Sequence, residues 1–344
     1  MDTQELEQTQ IQKIEKDILK SARTMREEQV RYLADTYYSV QDYRIQAKAQ
    51  IRMANADGEP HELVAWTFSA FEKIEKQIKR AMLDYASSRV DSSWAMSIHG
   101  IGPVLAAGLV AHFDISKAPT VGHFWRFAGL DTTNEWIGKD GAKALVKELW
   151  NGDARETFLA ACQRLGRRPD SWEVLCLLKK DGKLAEKLTE ENVVRGLARR
   201  PWNAKLKVLC WKIGESFCKL RGSEKDIYGK VYEQRKQLEI QRNEAGMFKE
   251  TAERALTEKK WNRDNTTRQA YRAGKLPDGR IDLRAKRYAV KLFLSHLHHV
   301  MYEVKFNTPP PKPYILTRPE HAHFIAPPNW PMRTGVPDSS GDGE

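Results

Sequence analysis

"MSIHGIGPVLAAGLVAHF", residues 96–113, joins two apolar helical segments through two glycines set two positions apart. The order apolar–x–Gly–apolar–Gly, followed by a run of small residues, has the form of a helix–hairpin–helix element. Gly100 and Gly102 permit positive φ and leave no side chain in the way of a phosphate. The free N–H groups at the start of the following helix then point at that phosphate, and the helix dipole favours its charge. Pro103 suits a helix start, where its missing donor would be unpaired in any case. Ala106, Ala107 and Gly108 let the two helices of the hairpin approach closely. The backbone contacts fall to Gly100, Ile101, Gly102 and Val104, which grip a nucleic-acid backbone and read little sequence.

The same pattern also fits a glycine-rich turn between two packed helices that holds nothing, so the placement of charge has to separate the two readings. Between Arg195 and Arg221 stand eight basic residues and one acid, Glu215. Arg199, Arg200 and Lys207 belong to this group, and Lys205, Lys212 and Lys219 lie seven apart, one stripe along a helix beside its apolar face. Cations on such a line can track a phosphate backbone. A second cluster, Arg284, Lys286, Arg287 and Lys291, stands near the start of the last helix. One basic cluster is ordinarily a solvated helix face. Two of them with a phosphate-binding turn point to nucleic acid.

Outward from the turn, the patterns are helical almost throughout. Phe71, Ile74, Ile78, Met82 and Tyr85 step by threes and fours and predict a helix over about 63–90, packed as an antiparallel hairpin or coiled coil. Residues 1–53 are polar, free of proline and glycine, and read as one or two long solvated helices, with "NADGEP" (55–60) as the break. "GKDG" (138–141) is read as the end of the hairpin unit. Residues 142–194 are helical and punctuated by "NGD", "GRRPD" and "KKDGK". A helix follows Pro201, read as an early helical residue, with Leu206, Leu209, Cys210, Ile213, Phe217 and Leu220 on its apolar face. "GKLPDGR" breaks the charged region before a last helix over about 283–305, and "NTPPPKPY" opens a proline-rich, extended tail. Strand signals are almost absent, so the fold class is all-α.

The bulk numbers agree with a globular chain. In 344 residues, 41% are hydrophobic and 30% charged, and 57 basic against 46 acidic residues give a net charge of +11. That excess favours polyanionic partners, with anionic membrane surfaces second. The four cysteines, Cys162, Cys176, Cys210 and Cys218, lack the paired spacing of a zinc site and suit a reducing, cytoplasmic setting. No run of about 18 apolar residues is present, so no membrane span is expected. His296 and His299 in "HLHH" lack a third ligand at convincing spacing and are read as packed or surface histidines. No metal and no cofactor is expected, and no serine–histidine or cysteine–histidine pair announces a nucleophile. Trp125, Trp136, Trp202 and Trp211 are read as core side chains rather than base-stacking platforms.

The block "MSIHGIGPVLAAGLVAHF" followed by "HFWRFAGLD" (123–131) resembles the C-terminal domain of the IS110/IS116/IS902-type insertion-sequence transposases. Those carry an I-x-G-I-G-x-x-x-A-A hairpin, a spacer and an aromatic–Ala–Gly–Leu segment, matched here by "FAGL" (127–130). "WNAKLKVLCWKIGESF" and "RAKRYAVKLFLSHLHHVMYE" are similar to the basic and closing helices of that domain, and the helix before the hairpin to its coiled-coil arm. The resemblance implies an RNase-H-like domain with four metal-binding acids and a serine nucleophile after the Ala–Gly–Leu segment. Residues 1–95 carry no strand run with an embedded aspartate. Between Ser116 and Ser216 the one serine, Ser171, stands in an unmatched context. No catalytic residue is therefore assigned.

The expected organisation is a helical arm (1–95), a helix–hairpin–helix unit (96–137), a helical insertion (138–195), a basic helical region completing the transposase-like domain (196–306) and a proline-rich tail (307–344). The expected function is nucleic-acid binding, to DNA or structured RNA, in transposition or recombination, with self-association through the arm. Two alternatives stand beside it: an active recombinase whose catalytic site the pattern does not reveal, and a helical scaffold that binds no nucleic acid.

Overall fold

The structure, a computed structural model, describes residues 15–57, 61–133, 136–167, 188–258, 260–311 and 325–332. Among these, every regular element is helical: fourteen α-helices and two short 3-10 turns. The chain divides into two compact units, a larger one of residues 1–120 and 211–344 and a smaller one of residues 121–210. Expectations for residues 1–14, for the end of "NADGEP", for most of "GRRPD", for "KKDGK", Ser171 and Cys176, and for most of the proline-rich tail lie outside the described residues.

In the larger unit, α1 (Lys16–Ser21) leads into two long helices, α2 (Glu27–Asp57) and α3 (Glu62–Ser87). At 31 residues α2 is about 46 Å long at the usual rise per residue. Arg23 meets Asp84, Tyr43 stacks on Phe71, and Arg44 pairs with Glu75, so the two helices run antiparallel. Burial alone would raise the Glu75 carboxyl, but hydrogen bonds from Arg44, Gln41 and Tyr37 outweigh it and hold it below the usual carboxylate range. This is the arm that the stepping of Phe71 to Tyr85 predicts.

The base of the arm closes on α4 (Val90–Ser97) and α5 (Pro103–His112), which the glycine turn joins. Val104, Ala107 and Ala111 of α5 share a buried cluster with Val30 and Ala34 of α2 and with Met82, Tyr85 and Ala86 of α3. The small residues of "VLAAGLVA" therefore admit the two arm helices as well as α4. An alanine stripe buries little area per residue, but it lets three backbones approach and leaves no room for larger side chains.

The second half of α10 (Ala204–Lys219), then α11 (Tyr228–Glu244), α12 (Lys249–Glu258), α13 (Thr266–Arg272) and α14 (Asp278–Phe306) complete this unit. The α14 helix starts at Asp278, five residues before the predicted start, because Ile281 and Ala285 are buried and carry the apolar face back through "PDGR". Trp94, Phe217, Tyr228 and Phe293 bring α4, α10, α11 and α14 into one aromatic core, with Trp94 stacked on Phe293 at 5.9 Å and Phe217 on Tyr228 at 4.9 Å. Residues 325–332 return to this core. Trp94 Nε1 donates to the Pro328 carbonyl at 2.8 Å, and Trp330 Nε1 to Glu303 at 2.6 Å.

The smaller unit contains α6 (Val121–Phe127), α7 (Gly138–Leu149), α8 (Ala154–Arg164), α9 (Glu190–Ala198) and the start of α10. Ala142, Leu145, Val146, Phe158, Ala161, Cys162, Val193 and Leu197 form the core of its three-helix packing. "GKDG" is the first turn of α7, not a terminator, because Ala142, Leu145 and Val146 anchor that helix and tertiary packing outweighs two glycines. Pro201 stands outside α10. Asn203 caps that helix by accepting from the Leu206 N–H at 3.0 Å, as asparagine does at helix starts.

Candidate nucleic-acid interface

Ile98 and Ile101 are buried on either side of the glycine turn, and Ile101 N–H donates to the Ile98 carbonyl at 3.0 Å. Two apolar anchors three residues apart thus pin the loop from beneath. Gly100 takes φ +97, where a Cβ would lie 2.9 Å from Ser216 Oγ and 3.0 Å from Leu220 Cδ1. Gly102 does not use the positive φ that glycine permits. Its φ of −84 and ψ of 171 are extended, and it is the N-cap of α5. No side chain caps α5, and Pro103 contributes no N–H there, so the donors of the first turn are those of Val104 and Leu105. A Cβ on Gly102 would meet nothing within 4 Å. The two glycines serve different ends: Gly100 permits the bend and the contact with α10, while Gly102 leaves the helix start open.

The turn forms one wall of a cleft of about 900 Å³. The cleft is lined as well by Ser216 and Leu220 of α10, by Glu224, Lys225 and Asp226 of the following loop, and by Lys230 in the first turn of α11. Both lysines are exposed, and neither has an ion-pair partner among the described residues. Asp226 shapes that loop: its carboxylate accepts from Gly222 N–H at 3.2 Å and Gly229 N–H at 2.7 Å. Asn329 lines the rim of the cleft and donates to the Ser97 carbonyl at 3.2 Å.

The remaining predicted contacts are dispersed. Ile101 and Val104 have buried side chains and offer only backbone. Lys219 is exposed at the end of α10, whereas Lys212 places its ammonium 3.9 Å from the Tyr38 ring centre, against the arm. Lys286 lies between Glu215 at 2.6 Å and Asp282 at 2.8 Å, with 15% of its side chain exposed, so its charge is met inside the protein. Arg284 pairs with Glu239 at 2.6 Å, and Arg287 lies beside it. In the smaller unit, Arg200 stacks on Trp136 at 4.7 Å and Lys207 on Trp202 at 4.0 Å, while Arg199 and Lys205 are exposed.

That unit also explains the "FAGL" segment. Ala128 is fully buried, and a Cβ on Gly129 would fall 2.7 Å from Trp202 Cγ. Asn203 N–H donates to the Phe127 carbonyl at 2.9 Å, so the segment is held against the start of α10. Trp136 and Trp211 are exposed, which corrects their reading as core side chains, whereas Trp125 and Trp202 are half-buried. Trp136 and Trp202 carry cations over their rings, and Trp211 is on the exposed side of α10.

The "HLHH" histidines are structural hydrogen-bonding groups. Tyr228 OH lies 2.6 Å from His296 Nδ1, and His296 Nε2 lies 3.0 Å from the Ile325 carbonyl. His298 contacts the Ala118 carbonyl at 2.8 Å, and His299 contacts Glu303 at 2.9 Å. No group of three metal-ligating side chains occurs among the described residues. No helix among them is long and apolar enough to cross a membrane.

Sequence reasoning did not find Lys225, Lys230, Ser216 or Asn329. The lysines belong to no periodic stripe, and Ser216 and Asn329 reach the turn only through folding over more than a hundred residues. In comparison with known proteins, residues 92–168 match the model of the Transposase IS116/IS110/IS902 family. The match spans under a quarter of the chain and includes α4, the turn, α5 and "FAGL". Neither a curated protein nor a solved structure matches the chain.

Proposed function

We propose that the protein binds nucleic acid, duplex DNA first and structured RNA second, through the cleft between the glycine turn and the α10–α11 loop. In this reading it takes part in DNA transposition or recombination as a relative of insertion-sequence transposases. The observation that carries the reading is the uncapped start of α5 at Gly102, inside a transposase-matched stretch, in one cleft with Lys225 and Lys230, which have no ion-pair partner among the described residues. N–H donors at a helix start and a positive dipole end suit a phosphate, and ammonium groups in the same cleft suit the next ones.

Gly100, Gly102 and Val104 act here through backbone alone, while Ile101, whose N–H is engaged with the Ile98 carbonyl, anchors the turn, and Lys219, Lys225 and Lys230 supply charge. Arg199, Arg200, Lys205 and Lys207 give the smaller unit basic groups of its own. Lys212 and Lys286 are committed to internal partners and add little to the grip. No strand-cleaving residue is assigned, and the Ser216 hydroxyl is engaged with the Gly100 carbonyl. The arm exposes Tyr43, Ile45, Met53, Leu63 and Trp66, which makes it the proposed surface for self-association. Titration of a labelled duplex against the protein at several salt concentrations tests the function. Affinity that falls steeply with salt supports it, and absent or salt-independent binding refutes it.

A further inference from the structure

A second basic surface lies on α11 and α14. The first of these helices carries Arg235, Glu239 and Arg242 at i, i+4 and i+7, and the other carries Arg280, Arg284 and Arg287 at the same spacing. Each triplet forms one stripe on its helix. Glu239 is the carboxylate they share, with no exposed surface. It is 2.5 Å from Arg235, 2.6 Å from Arg284 and 3.5 Å from Arg242. Aromatic rings brace two of these guanidinium groups, Tyr288 under Arg235 and Phe248 under Arg284, each at 4.6 Å. Arg280 lies 3.4 Å from the Tyr271 hydroxyl.

The charges do not balance. Three guanidinium groups pair with one carboxylate and two more stand on the α14 stripe, while other acids are engaged elsewhere: Asp282 with Lys236 and Lys286, Glu244 with Lys275. Arg287 is half-buried and has neither a hydrogen bond nor an ion pair among the described residues. Burial and the neighbouring charges of Arg284 and Arg280 push its proton affinity below the ordinary range for a guanidinium. The Nε of Arg235 is buried as well and makes no hydrogen bond. Three arginines pair with the Glu239 oxygens, whereas Arg287 feels that charge without an ion pair and Arg280 is exposed. Like charges held together in partial burial oppose folding. An anion accepting from several guanidinium forks relieves that repulsion, and phosphate matches the geometry of those forks.

We propose that Arg280, Arg284 and Arg287 of α14, with Arg235 of α11, form a phosphate-binding site separate from the glycine-turn cleft. Glu239 holds Arg235 and Arg284 in place from beneath, and the ligand is a phosphate of a nucleic-acid backbone. The identity of this ligand rests on the nucleic-acid reading above, whereas the site itself uses none of the cleft residues.

The test pairs Arg287→Met with the exposed change Arg280→Met in the full chain. Each variant is followed by thermal melting and by duplex titration over a range of salt, with inorganic phosphate compared against chloride at equal ionic strength. The expected result is a melting temperature equal to or above that of the unaltered protein, with a salt slope for duplex binding reduced by about 1 per arginine. A purely structural Arg287 would instead lower the melting temperature, which overturns the proposal, as does an unchanged salt slope in both variants. Thermal protection by inorganic phosphate that Arg287→Met abolishes, with duplex binding unaltered, overturns the nucleic-acid source and leaves a free-phosphate site. Absence of duplex binding by the unaltered protein contradicts the cleft reading and the nucleic-acid source together. The phosphate comparison then decides the site by itself.

Discussion

The Ser216 hydroxyl donates a 2.7 Å hydrogen bond to the Gly100 carbonyl, joining α10 to the glycine turn across 116 residues of chain. The bond fixes the orientation of a loop that has only two apolar anchors of its own. It also makes Gly100 and Gly102 unequal, because Gly100 is crowded and left-handed while Gly102 is open and extended. Gly100→Ala is expected to destabilise the protein by about 1–3 kcal/mol through backbone strain and contact with Ser216. Gly102→Ala is expected to cost about 1 kcal/mol or less, the difference between two weak N-caps. Denaturant midpoints of the two variants check the order, and equal losses would refute the distinction.

Lysines in the basic surface are expected to divide by their partners. Lys225→Glu combined with Lys230→Glu should leave stability within about 0.5 kcal/mol, as for surface changes generally, and flatten the salt dependence of duplex binding. Lys286→Met should do the reverse, because it strips Glu215 and Asp282 of their shared cation. Melting curves and salt titrations on both variants give the comparison.

The sequence made the arm, the glycine bend before α5 and the apolar face of α10 legible because each rests on local periodicity or on glycine and proline chemistry. Phe71 to Tyr85 lie on one face, and that face is the one that packs. The register of Gly102 was not legible, since extended and left-handed glycines look alike until the next helix claims its cap. The cleft was hidden for a different reason: Lys225, Lys230 and Asn329 meet the turn only through the aromatic core of Trp94, Phe217, Tyr228 and Phe293. Charge counting also overstated Lys212 and Lys286, because a basic residue in a stripe carries no sign of the ring or carboxylate it will meet.

His296 makes stability depend on pH. Burial pushes its imidazole down to about 4 from an ordinary value of 6.5, so the unfolded chain binds the proton more tightly. The neutral form's contribution is complete above about pH 6.5. It is lost as pH falls from there towards 4, in total on the order of 3 kcal/mol. His296→Gln, which does not titrate, is expected to flatten the fall in unfolding free energy between pH 6.5 and 4. An unchanged pH profile would show that His296 does not control it.

Glu239 should be among the least replaceable side chains of the larger unit. Burial raises its carboxyl, but the hydrogen bond and charge of Arg284 and the charge of Arg235 outweigh this and keep it ionised. Glu239→Gln removes the countercharge from three arginines and is expected to cost about 3 kcal/mol or more, in the range for breaking a buried ion pair. Urea unfolding measures the loss, and a change below about 1 kcal/mol would contradict the assignment.

Gly102→Asp in duplex titrations over a range of salt tests the central claim most directly. Aspartate is a preferred N-cap and would accept from the first-turn N–H groups of α5, so melting temperature should hold or rise. The same carboxylate occupies the donors assigned to phosphate and repels it. The expected result is steep salt dependence for the unaltered protein and affinity at least tenfold weaker, by order of magnitude, in Gly102→Asp at full stability. Equal affinity of the two proteins for duplex would contradict the account.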